Sequence, residues 1–151
     1  MSSRELLLNN DLFFTEIVRM LDDGKPVVLR ARGDSMFPFI VDGRDCVELD
    51  RCRRVVEVGD IVLVHLPDLG FVLHRIYAVE GNGLLLMGDG NLHATEHCRR
   101  EDVLACVVRI IRDGRSVACS SRGERCRVWL WRRLRPLRRG LLFVCRRMMG
   151  R

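Results

Sequence analysis

Short apolar runs, separated by turn-forming residues, fill the middle of this chain. Seven runs between residues 27 and 119 are rich in Val, Ile and Leu, which favour strands. They are Val27 to Ala31, Cys46 to Leu49, Asp60 to Leu66, Phe71 to Val79, Leu84 to Met87, Val103 to Ile111 and Ser116 to Cys119. Glycine-containing turns such as residues 68–70 and 81–83 lie between them. The pattern therefore predicts a mainly β fold, an antiparallel barrel or sandwich.

Apolar residues recur at helical spacing at both ends of the chain. Residues 11–22 predict an N-terminal helix that Asn10 or Asp11 caps and that ends before Gly24. From Arg125 onward, tryptophans and leucines alternate with arginine pairs at near-helical spacing. We expect Pro136 to start, kink or divide this second helix.

Charge distinguishes the C-terminal tail from the rest of the chain. Residues 122–151 contain eleven arginines and one acid, Glu124, for a net charge of +10, whereas residues 1–121 sum to −4. We therefore treat residues 1–121 as a β domain with an N-terminal helix, and residues 122–151 as a basic amphipathic tail. Such asymmetry points to a polyanionic partner, either a membrane surface or nucleic acid.

The tail composition favours an anionic membrane surface as that partner. Tryptophan suits the bilayer interface and arginine suits anionic headgroups, so an in-plane helix is one interpretation. The alternative is a helix that packs its leucines on the β domain, and the two can hold together. Binding to nucleic acid is the weaker hypothesis because no known DNA-binding motif is visible.

The length of the chain and its cysteine content limit the class of protein to which it can belong. The 151 residues suffice for one domain with a core, and the seven cysteines form no CxxC pair. No signal peptide opens the chain, and no apolar stretch approaches the roughly 20 residues that cross a bilayer. These features predict reduced thiols and a cytoplasmic protein, attached peripherally to the membrane through the tail. A secreted, disulfide-linked protein is the alternative.

Four short motifs carry residues that can do chemistry. They are Gly33-Asp34-Ser35-Met36-Phe37-Pro38, Gly59-Asp60-Ile61-Val62, His74-Arg75 and Gly88-Asp89-Gly90-Asn91. Taken singly, each has a structural explanation: a serine in a turn, a turn aspartate, a core histidine and a capped turn. A serine becomes a nucleophile only when a neighbouring base takes its proton.

Together and in this order, the four motifs resemble the signal peptidase and LexA-type superfamily of serine endopeptidases, the S24/S26 peptidases. The resemblance covers roughly residues 27–112. Some members use a serine–lysine dyad, whereas archaeal, sporulation-associated and endoplasmic-reticulum signal peptidases have a His-Arg pair in place of the lysine. This chain resembles the histidine type. Its one lysine, Lys25, precedes the serine and so cannot be a base on the later strand.

The resemblance implies a set of catalytic residues and a substrate class. Ser35 would be the nucleophile, His74 the general base and Asp89 the orienting acid, with Glu96 as the second choice for the acid. The substrate would be an extended leader or signal-type peptide with small residues before the cleaved bond, and no cofactor is implied.

The resemblance also suggests where the substrate and its oxyanion bind. The backbone N–H of Ser35 would serve the oxyanion, and the flanking residues Gly33, Asp34 and Met36 would contact substrate. Gly33 occupies a position where signal peptidases often have a hydroxyl donor, so that donor is missing here.

Three further hypotheses compete with this one. A non-catalytic peptide-binding or regulatory module on the same fold would explain the missing donor. Self-cleavage of the LexA type is less favoured because only about 26 residues precede the first strand. A metal site at His93, His97 and Cys98 would place the two histidines on one helix face, but no further ligand stands at a recognisable spacing.

Overall fold

The computed structural model describes the backbone of residues 3–150 and the side chains of residues 12–150. One antiparallel sheet of eight strands forms its centre. The strands are β1 (Val27–Arg30), β2 (Cys46–Asp50), β3 (Ile61–Leu66), β4 (Gly70–Glu80), β5 (Gly83–Met87), β6 (Glu96–Arg99), β7 (Val103–Arg112) and β8 (Arg115–Ala118). Their spatial order is β1-β2-β7-β3-β4-β5-β6, with β8 also paired to β7. The predicted mainly β fold is confirmed, and the sheet is open rather than closed into a barrel.

All seven predicted strands are present, and one strand was missed. The missed strand, β6, pairs with β5 at one edge of the sheet. Its sequence Glu-His-Cys-Arg contains only one apolar residue, so its pattern gives no strand signal. Pairing with β5, rather than local propensity, makes this segment extended.

Three helices flank the sheet. They are α1 (Ser3–Asp22), α2 (Arg122–Arg133) and α3 (Arg138–Met148), with a short 3-10 turn at Arg135–Leu137 between the last two. Helix α1 begins earlier than predicted, so Asn10 and Asp11 lie within it rather than at its cap. Pro136 lies in the 3-10 turn and divides the tail into two helices, as expected. None of the helices in the described chain is long and apolar enough to cross a membrane.

The central strands are buried on both faces, and their residues alternate between two cores. On β3, Ile61 and Leu63 join a core with α1, whereas Val62 and Val64 join a second core. Successive strand residues point to opposite faces, so these cores lie on the two sides of the sheet. Helix α1 covers one side with Ile17 and Leu21.

The C-terminal helices pack on the β domain through a third core. Trp131 of α2 and Leu142 of α3 are buried against Phe37, Phe39 and Val41, which follow Ser35 in the chain. This contact confirms the alternative in which the tail packs its apolar residues on the domain. The C-terminal helices therefore pack directly on the segment that follows the candidate nucleophile.

The cysteines do not all remain thiols. Cys52 and Cys106 form a disulfide, with Cα atoms 5.3 Å apart. Cys106 pairs with Asp50 at the end of β2, and Cys52 follows Asp50 by two residues. The expectation of reduced thiols is wrong for this pair. Burial raises the pKa of the Cys98 and Cys119 thiols to about 11, so both stay protonated at neutral pH.

A buried carboxylate holds the far end of the Ser35 segment. Asp45 is fully buried, and it accepts hydrogen bonds from Arg44 Nε (2.7 Å) and from the backbone N–H of Val41 (2.9 Å). Arg112 of β7 also contacts Asp45 and donates to the carbonyl of Phe39 at 2.6 Å. Burial alone raises the pKa of Asp45, but these donors outweigh it and lower the pKa below its ordinary value.

Replacing Asp45 by alanine should therefore destabilise the protein by about 3 kcal/mol at neutral pH, because two arginines lose their buried partner. Since the folded-state pKa lies below the unfolded one, the contribution is fully present above 3.8 and is lost as the pH falls through the folded-state pKa. Urea unfolding at several pH values measures both effects. The exposed Asp68→Ala is the control, and a wild-type advantage that stays constant down to the lowest pH would contradict the assignment.

Candidate active site

Ser35 lies in a turn that follows β1 and faces solvent on one side. The turn closes through hydrogen bonds from Phe37 N–H to Asp34 O (3.1 Å) and from Ile40 N–H to Met36 O (3.0 Å). Gly33 has a positive φ of 84°, which few other residues adopt. Ser35 is half-buried, whereas Met36 is buried in the core below it. Ser35 therefore lies in a turn, as its sequence motif indicates.

The Gly33 N–H is already engaged within this turn. It donates to Asp42 Oδ1 at 3.1 Å, so it is not a free donor. Glycine also supplies no side-chain hydroxyl at this position, so the missing donor noted in the sequence is not replaced by the Gly33 N–H.

The loop of residues 88–91 packs tightly against the Ser35 turn. Gly90 N–H donates to Ser35 O at 2.8 Å. A Cβ atom on Gly88 would lie 2.3 Å from Ser35 O, and one on Gly90 would lie 2.6 Å from Asp34 O. The two glycines are thus required because the backbones approach closely.

The alternation of β4 separates His74 from Arg75. His74 shares a face with Val72 and Ile76, which pack in the second core. Arg75 points to the opposite face. Because His74 and Arg75 lie on opposite faces of the sheet, each contacts a different carboxylate.

On its face, His74 meets Glu96. His74 Nδ1 lies 2.7 Å from Glu96 Oε2, and both side chains are largely buried. Glu96 lies on β6, the strand that the sequence pattern missed, where it shares a face with Cys98 of the second core. A carboxylate at this distance fixes the imidazole orientation and favours the tautomer with hydrogen on Nδ1.

On the other face, Arg75 binds Asp89 in a buried ion pair. Arg75 Nη2 lies 2.6 Å from Asp89 Oδ2 and Nε lies 2.8 Å from Oδ1, while Nη1 donates to Gly59 O. Burial alone lowers the pKa of Arg75, but the charge and hydrogen bonds of Asp89 outweigh it and raise the pKa.

The expectation that Asp89 orients His74 is therefore not met. Its carboxylate binds Arg75, and the second choice, Glu96, takes the place beside the imidazole.

Ser35 and His74 are both among the residues that line a cleft of about 570 Å³. Its lining is mostly apolar and includes Met36. At one end, Phe14 of α1 stacks on Phe71 of β4, with ring centroids 4.9 Å apart. The sequence placed Phe71 at the start of a predicted strand, but it gave no signal that Phe14 and Phe71 would stack. Lys25 is exposed in the α1–β1 connection and does not line this cleft.

The C-terminal helices hold the same loop that supports Ser35. Trp131 Nε1 donates to Asp89 O at 3.1 Å, and the buried Arg138 donates to Asn91 O at 3.2 Å. Arg138 also lies over the Trp131 ring, 5.4 Å from its centroid. Sequence patterning treated these residues as part of a separate tail, so it gave no signal for this support.

The considered metal cluster does not form in the described chain. His97 and Cys98 are neighbours on β6, where His97 is exposed and Cys98 is buried, so they point to opposite faces. The expected shared helix face with His93 is wrong because this segment is not helical. Among the described residues, no group of three or more His, Cys, Asp or Glu side chains has a metal-binding arrangement.

The two carboxylates should respond differently to substitution. Asp89→Asn leaves the buried Arg75 without a counter-charge, so we expect a loss of about 3–5 kcal/mol in unfolding free energy. Glu96→Gln is isosteric and can still accept from Nδ1, so we expect a change of less than about 1 kcal/mol. Urea unfolding of both variants measures the contrast, and a greater loss for Glu96→Gln would contradict these roles.

A methyl group on Gly88 should disturb the nucleophile turn. Gly88→Ala places Cβ against Ser35 O, so we expect a loss of about 1–3 kcal/mol from overpacking. The control is Gly123→Ala in α2, where the added Cβ meets nothing within 4 Å and should be neutral or stabilising. Thermal unfolding compares the two variants, and equal stability would show that the close approach is not needed.

Comparison with known proteins gives a family match that covers most of the chain. A family model described as Peptidase S24-like matches residues 6–111, about 70% of the chain. The matched range contains the Ser35 turn, His74, the loop of residues 88–91 and Glu96. No curated protein matches the chain. The sheet, the ordered motifs and the extent of the match show that this chain belongs to the Peptidase S24-like family and has a peptidase-like fold.

Proposed function

We propose that the protein is a serine endopeptidase in which Ser35, His74 and Glu96 form the catalytic set. The contact that carries the proposal is the one between His74 Nδ1 and Glu96 Oε2 at 2.7 Å. His74 also lines the cleft that Ser35 lines. With Nδ1 held by the carboxylate, Nε2 is the ring nitrogen left to accept the serine proton. This is the division of roles in a serine–histidine–acid triad.

The reaction follows from these roles. His74 Nε2 removes the Ser35 proton as Oγ attacks the peptide carbonyl, and it then gives that proton to the leaving amine. Water, activated by the same nitrogen, hydrolyses the acyl-enzyme and regenerates Ser35. Glu96 keeps the imidazole oriented and stabilises its cation. The backbone N–H of Ser35 is the proposed oxyanion donor, and the side of the turn at Asp34 and Met36 is where substrate binds.

The substrate we propose is an extended peptide of leader or signal type. Strand β1 lies at an edge of the sheet beside the Ser35 turn, and an edge strand can pair with the main chain of a peptide. The apolar lining of the cleft suits apolar side chains of that peptide.

A non-catalytic peptide-binding module on the same fold is the second candidate function. The observation that favours it is the engaged Gly33 N–H, which removes one potential oxyanion donor. Loss of one such donor typically costs about 10²- to 10³-fold in rate.

Labelling with a fluorophosphonate and cleavage of a peptide library test the catalytic proposal. We expect the wild type to be labelled on Ser35, and Ser35→Ala and His74→Ala to lose at least about 10³-fold in cleavage rate. Glu96→Gln should lose about 10²- to 10⁴-fold, because the imidazole loses its anionic partner.

Ser120→Ala, His97→Ala and Glu80→Gln, all at exposed positions, are the matched controls and should keep full activity. Labelling that survives Ser35→Ala would exclude Ser35 as the nucleophile. Peptide binding by the wild type without labelling or cleavage would favour the non-catalytic module.

A further inference from the structure

The C-terminal helices bury one set of side chains on the β domain, on what we call their inner face, and expose another set. The inner face carries Trp131, Arg138 and Leu142, which are buried on the β domain. Those contacts fix how the helices are turned. The exposed side chains are therefore not required to cover the core of the described chain.

Large apolar side chains are nonetheless exposed on these helices. Trp129 is 57% exposed and Phe143 is 68% exposed, although tryptophan and phenylalanine are usually much more buried. The other exposed apolar residues of this region are Leu130, Leu137, Val144, Met148 and Met149. We call this set the outer apolar residues.

Arginines share the exposed surface of these helices with the apolar residues. Arg133 follows Trp129 by four positions and lies over its ring, 5.1 Å from the centroid, while Arg139 and Arg147 flank Phe143 at the same spacing. Residues four apart on a helix are neighbours on its surface. Within residues 12–150, no carboxylate forms an ion pair with Arg133, Arg139 or Arg147.

The acids of this region do not offset the charge. Glu124 is the one acid between residues 122 and 151, and it pairs with Arg127. Other tail arginines are used internally; Arg132, for example, donates to Tyr77 O at 2.8 Å. The exposed surface of these two helices, which we call the outer face, thus combines unpaired positive charge with exposed aromatic and aliphatic groups.

We propose that this face binds an anionic lipid bilayer, with the outer apolar residues inserted into the interface and the arginines among the headgroups. Interfacial helices combine these residue types on one surface. A second copy of the chain fits poorly, because docking two such faces would oppose two strongly positive surfaces. Nucleic acid would explain the charge but not the exposed tryptophan, phenylalanine, leucine and methionine side chains.

The proposal is independent of catalysis and gives the folded tail two tasks. The inner face supports the Ser35 turn and the loop of residues 88–91, and the outer face holds the domain at the membrane. A peptidase attached in this way would meet peptides that are themselves held at an anionic surface.

Binding of the full-length protein to vesicles tests the proposal. We expect flotation with phosphatidylcholine–phosphatidylglycerol vesicles, little flotation with pure phosphatidylcholine, and release at high salt. The chain has two tryptophans, and Trp131 is buried, so a blue shift of emission on anionic vesicles reports insertion of Trp129.

Paired variants separate the outer face from general effects. Trp129→Ala with Phe143→Ala should weaken partitioning at least about 10-fold, whereas Val55→Ala with Leu69→Ala, at positions 75% and 55% exposed elsewhere, should not. Arg139→Glu with Arg147→Glu should weaken it at least about 30-fold. Arg99→Glu with Arg115→Glu makes the same change in net charge away from this face and should have a much smaller effect.

Several outcomes would overturn the proposal. These are equal flotation on charged and uncharged vesicles, an equal loss in each control pair, and an unshifted Trp129 emission in the presence of anionic vesicles. A dimer in light scattering that the Trp129→Ala/Phe143→Ala variant abolishes would assign the face to a second copy instead. Binding to RNA that exceeds binding to anionic vesicles at the same salt concentration would assign it to nucleic acid.

Discussion

The buried ion pair of Arg75 and Asp89 is the interaction on which the rest of the site depends. Arg75 is next to His74 on β4, and Asp89 lies between the two glycines that touch the Ser35 turn. Through this pair, the strand that carries the candidate base and the loop that supports the candidate nucleophile become one unit. Both charges are buried, and burying either one without its partner would strongly destabilise the fold. The two side chains must therefore stay together.

Further contacts extend this unit in both directions. Arg75 also lies over the ring of Phe39, 4.9 Å from its centroid, and donates to Gly59 O. Trp131 binds the carbonyl of Asp89 from the C-terminal side. The Ser35 turn, the strand with His74 and the arginine-rich helices therefore meet around one guanidinium group. The tail has a net charge of +10, and it packs on the domain through the apolar contacts of the third core and the hydrogen bond of Trp131.

The alternation of side chains along β4 determines which carboxylate contacts His74 and which contacts Arg75. Consecutive residues of a strand point to opposite faces, so His74 and Arg75 cannot share one acid across the sheet. Asp89 stands in the motif and is the acid that the resemblance favours beside His74, yet it serves Arg75. Glu96 stands on a strand with a weak sequence signal, yet it reaches the imidazole. Pairing of β6 with β5 places Glu96 on the same face as Cys98, and this pairing directs the carboxylate toward His74.

Much of the fold could be predicted from the sequence alone, because the spacing of apolar residues and the positions of turn-forming residues are local features that indicate strands and helices. Seven strands, the terminal helices, the division of the tail at Pro136 and the exclusion of Lys25 as a base could all be read from the chain. The partner of His74, the Cys52–Cys106 disulfide, the engaged Gly33 N–H and the two faces of the tail were decided by tertiary structure. Each of these features requires contact between residues that are far apart in the chain. Strand pairing and helix docking determine such contacts, whereas the local residue pattern does not.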